Sequence, residues 1–79
     1  MEDKNIYLVI EEFLGTDGKF GANAFPCRSH QEAGEFCTSQ IVSMCEQQGI
    51  DWQAFDTIPW ELEGDGWYYK VRIDVVPFV

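Results

Sequence analysis

Positive charge is what this chain has least of. Five Lys and Arg stand against fourteen Asp and Glu, a net charge of −9. Proteins hold phosphate backbones by displacing counterions with Lys and Arg. The composition therefore argues against a direct nucleic-acid binder, and an anionic membrane surface is disfavoured on the same ground. Long apolar runs are also missing. None approaches the roughly 20 residues that span a bilayer, and Met1–Val9 shows neither the basic start nor the small-residue cleavage site of a secretory signal. The expected location is the cytoplasm, either the organism's own or that of a host cell in which the protein is made. Cysteine is scarce and odd in number. Cys27, Cys37 and Cys45 make no disulfide framework and suit a reducing compartment. Cys37 and Cys45 fall in one expected helix, about 12 Å apart along its axis, too far for a bridge.

Apolar residues, by contrast, are plentiful. Hydrophobic residues make up 46% of the chain and aromatics 15%, which rejects disorder. With 79 residues the chain is expected to form one domain, 1–79, with a small core that buries roughly 60% of the unfolded surface. Trp and Phe should supply much of that burial.

Periodicity divides the chain into five main segments. Asn5 to Phe13 alternates as a strand, with Ile6, Leu8 and Ile10 on one face and Tyr7, Val9, Glu11 and Phe13 on the other. Gly15-Thr16-Asp17-Gly18 is a turn signal, and Lys19 to Phe25 returns as a weaker strand that Pro26 should stop. Ser29 to Gln48 predicts a helix. Ser29 and Glu32 form a capping box; Ala33, Cys37, Ile41, Met44 and Cys45 share one face, with Phe36 at its edge. Gly49 and Ile50 suit a Schellman termination. Gly34, inside the helix, costs about 1 kcal/mol relative to Ala, and a close approach to the sheet would explain it. Asp51 is placed to cap one short turn, Trp52 to Phe55. Trp60 to Glu63 is a short strand, Gly64-Asp65-Gly66 a tight turn, and Trp67 to Phe78 the strongest strand.

These segments predict an α+β fold, a ββαββ domain with a mostly antiparallel sheet and one helix packed on one face. The uncovered face should carry some of Tyr7, Val9, Glu11, Tyr68, Lys70 and Arg72.

Few constellations carry chemistry. Cys27 and His30 lie close in sequence at the helix start, where a thiol pKa falls and an imidazole could act as base. No third orienting group or oxyanion hole is visible, so no enzymatic activity and no catalytic residue are expected. A Cys27, His30, Cys37 zinc site lacks the two close ligand pairs such sites use. No Asp-x-Asp-x-Asp-Gly loop is present for Ca²⁺. No metal or cofactor is expected. Tyr7 and Tyr68 beside Lys70 and Arg72 have the makings of an RNA-stacking sheet, which the net charge opposes; exposed aromatics with Arg are equally what protein contacts favour. The acids fall into groups: Glu11 and Glu12 with Asp17; Glu32 and Glu35; Glu61, Glu63 and Asp65. Carboxylates in a row on a compact body imitate the field of a duplex, which has one charge per about 1.7 Å of axis.

The profile as a whole, a short chain of net charge −9 with a sheet-and-helix pattern and no catalytic motif, resembles the small acidic inhibitors that phages encode, anti-CRISPR proteins among them. Plasmid-encoded anti-restriction proteins and bacterial immunity proteins share it. The resemblance covers the chain as a profile and rests on no shared motif. It implies a protein that binds a nucleic-acid-handling complex of host defence and blocks its substrate site, and it transfers no site residues.

The expected partner is thus the basic surface of a nucleic-acid-binding protein or complex, met through Glu11, Glu12, Asp17, Glu61, Glu63 and Asp65, with Tyr68 and Arg72 as anchors. A second expectation is an accessory or structural subunit of a phage or bacterial assembly, using edge strands and the apolar chain end Pro77, Phe78 and Val79 as a plug.

Overall fold

The computed structural model describes residues 5–77. Its elements run β1 (Asn5–Leu14), β2 (Phe20–Cys27), α1 (His30–Gln48), a 3₁₀ turn (Trp52–Ala54), β3 (Glu61–Gly64) and β4 (Trp67–Pro77). The four strands form one antiparallel sheet in the order β2-β1-β4-β3, and α1 lies on one face. This is the expected ββαββ arrangement. The smallest extent of the molecule, 14 Å, is that of one helix layer on one sheet.

The local signals act as their chemistry dictates. Ser29 Oγ accepts from the Glu32 N–H at 3.1 Å. The returning Glu32 carboxylate takes the Arg28 N–H at 3.2 Å, one residue before the position that a capping box would use. At the other end Gly49 adopts φ 72°, and the Ile50 N–H donates to the Cys45 carbonyl at 2.8 Å, closing the helix as a Schellman motif. Asp51 caps the 3₁₀ turn through the Gln53 N–H. The β3–β4 turn needs positive φ only at Gly66, 79°, as in a type II turn.

The core forms where α1 meets the sheet. Ala33, Cys37, Ile41 and Cys45 are fully buried against Val9, Leu62, Tyr69, Val71 and Cys27. The three thiols serve as small apolar side chains and are unbridged. Phe25 packs on Phe36 with ring centroids 5.0 Å apart, tying β2 to the helix. Two glycines make room for aromatic rings on this face. A Cβ on Gly21 would stand 2.8 Å from Phe13 Cζ, and one on Gly64 would collide with the Trp67 indole.

Several expectations are corrected. Pro26 does not stop β2, which continues to Cys27. β2 lies at the sheet edge, where proline is tolerated because an outward-facing position needs no ladder donor. Trp60 precedes β3 rather than opening it. Gly34 is not explained by close approach, since nothing lies within 4 Å of the Cβ it lacks. Of the six residues from which the uncovered face was expected to draw, three lie on it. Tyr7, Val9 and Glu11 share the covered face with Tyr69 and Val71, whereas Tyr68, Lys70 and Arg72 lie on the other face beside Ile10, Glu12 and Leu14. Of the apolar plug, Pro77 is exposed at the end of β4; Phe78 and Val79 lie outside the described residues.

Candidate functional site

The uncovered face is built by alternation. In β1 the even residues, Ile6, Leu8, Ile10, Glu12 and Leu14, all turn away from the helix. Register places Pro26, Ala24, Ala22 and Phe20 beside them on β2, and Val76, Asp74, Arg72, Lys70 and Tyr68 on β4. Glu61 and Glu63 of β3 continue the rows that hold Lys70 and Tyr68. The face is therefore divided. Its β2 and β1 half is aliphatic except for Glu12, and Phe20 there is 77% exposed. Its β4 and β3 half carries the charges.

Those charges are arranged unevenly. Arg72 donates to Glu12 through Nη1 and to Asp74 through Nε at 3.4 Å. The Glu12 hydrogen bond, with Asp74 behind it, raises the Arg72 pKa. Lys70 Nζ stands 3.9 Å from Glu12 and 5.4 Å from the centroid of the Tyr68 ring, within cation–π range. Both cations of this face are thus occupied by its own acids. No ion pair among the described residues engages Glu61, Glu63 or Asp65. A shallow cleft of ≈ 360 Å³ runs between Trp60, Glu61 and the Lys70–Arg72 pair.

Five of the eight expected contact residues, Glu12, Glu61, Glu63, Tyr68 and Arg72, come together on this face. Asp17 and Asp65 lie in the two hairpin turns, which share one end of the sheet because Leu14 pairs with both Phe20 and Tyr68. Asp17 also accepts from the Lys19 N–H at 3.0 Å. Glu11 does not belong to the set. It lies under the helix, 8% exposed, because one step along a strand turns a side chain to the opposite face. Alternate strand residues stand about 6.7 Å apart, so Glu61 and Glu63 have half the linear density of one DNA strand, with one phosphate per about 3.4 Å. The apolar half of the face escaped sequence reasoning, although its signal was present: β1 is apolar on both of its faces, the pattern of a strand covered twice.

The thiol constellation behaves oppositely to a reactive one. Burial, then the Glu32 carboxylate, pushes the Cys27 thiol above its ordinary value, and Cys27 as a residue is only 6% exposed. His30 packs edge-on against Tyr7, centroids 5.9 Å apart. Among the described residues no three His, Cys, Asp or Glu side chains gather as metal ligands would, and no helix is long and apolar enough to cross a membrane. No known protein family, curated protein or solved structure matches the chain.

Proposed function

We propose that this chain is a protein-binding inhibitor that docks through its uncovered sheet face onto a basic, nucleic-acid-handling surface of a host defence complex, in the manner of anti-CRISPR proteins. One observation carries this reading: a whole sheet face, half aliphatic and half charged, lies open in a chain of net charge −9. Contiguous apolar surface rimmed by polar groups marks a protein-contact site. Ile6, Leu8, Ile10 and Leu14 would supply the water-excluding centre. Tyr68 and Arg72 are of the residue types that dominate interface energies. Glu61, Glu63, Asp65 and Asp17 leave uncompensated negative charge at one rim, which steers approach to a basic surface.

The test is capture from a bacterial lysate at low and high salt, with DNA and RNA as competitors, followed by kinetics on the captured partner. The reading expects salt-sensitive capture of a nucleic-acid-binding complex, displaced by nucleic acid and abolished by Leu8→Asp. An association rate that is flat with salt removes the electrostatic mechanism, and capture unaffected by Leu8→Asp removes the face.

A second reading, an accessory subunit of a larger assembly, is favoured by β2. This eight-residue edge strand carries no charged side chain, whereas charge is the usual guard against edge-to-edge pairing. An Ala24→Lys substitution would then prevent assembly through the β2 edge, whereas Leu8→Asp, on the inner strand β1, would leave that assembly intact.

A further inference from the structure

On the helix side of the sheet, Glu11 presents an unusual arrangement. Among the described residues it is the only charged one in the buried core, and the side chains that donate to it there are neutral. The Tyr69 hydroxyl donates to Oε2 at 2.6 Å, Gln40 Nε2 to the same oxygen at 3.3 Å, and Asn23 Nδ2 to Oε1 at 2.8 Å. No Lys, Arg or His among the described residues pairs with it. A carboxylate offers about four acceptor positions, so these three bonds leave one on Oε1. Buried charges in proteins are ordinarily paired, and this one has no countercharge within the described fold.

Glu11 is also not sealed. It lines a cleft of ≈ 480 Å³ between the C-terminal half of α1 and the turn end of β1 and β4, within the size range of small-ligand sites. Phe13, Met44 and Trp67 give the cleft apolar and aromatic walls; Gln40, Ser43 and Thr16 give it polar groups. No lining residue is cationic. The last turn of α1 likewise has no basic side chain, so the negative end of the helix dipole at this cleft is not neutralised by the helix itself.

From this geometry we infer that the cleft is a binding site for a guanidinium group, as on an arginine side chain or a free arginine-like cation, with Glu11 as its counter-ion. A guanidinium is planar, donates in several directions, stacks on aromatic rings and is weakly hydrated, which matches an acidic acceptor beside the aromatic and apolar walls of Phe13, Trp67 and Met44. Glu11, Gln40 and Ser43 lie on the helix side of the sheet, and of the docking face only Leu14 and Tyr68 reach the cleft; variants at Glu11 and Ser43 therefore test this site, and Leu8→Asp tests the docking face, so the two readings can fail separately.

The experiment is a titration of the ¹⁵N-labelled full chain with N-acetyl-arginine methylamide and with its neutral isostere, N-acetyl-citrulline methylamide. The arginine probe is expected to give saturable shifts of the Trp67 indole N–H and the Ser43 and Gly15 amides, with affinity about tenfold above that for citrulline, the worth of one charge-assisted hydrogen bond. Glu11→Gln should lose that preference. Because this substitution perturbs a buried network, Ser43→Lys serves as the second variant: Ser43 is exposed on the helix, and a lysine there supplies a competing cation at the cleft, weakening the probe by about tenfold with unchanged helicity. Absence of saturable shifts, equal response to citrulline, or undiminished affinity in Ser43→Lys each overturns the site. A Gly-Arg-Gly peptide that binds more tightly than free arginine assigns the group to a protein partner; the reverse order assigns it to a free metabolite.

Discussion

The two faces of β1 make an instructive pair. Tyr7, Val9, Glu11 and Phe13 face the helix; Ile6, Leu8, Ile10, Glu12 and Leu14 face away. By composition the second set is the more aliphatic, and each set contains one glutamate. Yet Val9 is fully buried while Leu8 and Ile10 are only partly buried. Apolarity alone therefore did not choose the covered face. The helix covers the face where Tyr69, Asn23 and Gln40 satisfy the glutamate, and leaves open the face where Lys70 and Arg72 compensate Glu12 in contact with water. A buried carboxylate must find hydrogen-bond donors within the fold, whereas one at the surface can take them from water.

The largest expected contrast lies in packing. Ile41→Ala should cost about 3 kcal/mol by creating a core cavity, while Leu8→Ala on the open face should cost under about 1 kcal/mol. Urea denaturation of both variants measures it, and equal losses would mean that the open face is covered in solution. Next come the tyrosines on adjacent positions of β4. Tyr69→Phe removes a donor from buried Glu11 and should cost about 2 kcal/mol; Tyr68→Phe should leave the melting temperature nearly unchanged.

The same contrast extends to pH. Burial raises the thiols of Cys27, Cys37 and Cys45 above 9.0, and burial together with the Glu11 hydrogen bond and charge raises the Tyr69 phenol above 10.0. The stabilisation from these protonated groups is complete below pH 9. It declines as pH rises further, because the unfolded chain then releases protons that the folded chain retains. Thermal melts should fall progressively above pH 9, and Tyr69→Phe should flatten the portion above pH 10. Two glycines give a last contrast. Gly64→Ala must displace the Trp67 indole and should destabilise by about 1–3 kcal/mol, while Gly34→Ala, with open space around it, should stabilise by up to about 1 kcal/mol. Differential scanning calorimetry of the two variants should show melting temperatures moving in opposite directions.

Much of the fold was legible in the chain. The helix ends were marked by Ser29, Glu32 and Gly49, residues whose capping chemistry is local. The buried stripe of α1 followed from its spacing, and Thr16-Asp17-Gly18 and Asp65-Gly66 marked the hairpin turns. The candidate site was less legible. Tyr68, Arg72, Glu12, Glu61 and Glu63 share a face through cross-strand register, which no local pattern contains. The apolar half was misjudged because period-two alternation names two faces without saying which is covered. Glu11 was read as a surface acid because its partners Asn23, Gln40 and Tyr69 are distant in sequence.

By itself, then, the sequence determined the elements, their turns and caps, and the excess of negative charge, since each depends on neighbouring residues or on a simple sum. Only the tertiary structure decided which face of the sheet the helix covers, where Pro26 is tolerated, and that one glutamate is buried among neutral donors while its neighbour meets solvent. Those outcomes depend on strand order, register and long-range hydrogen bonding, which exist only once the sheet has assembled.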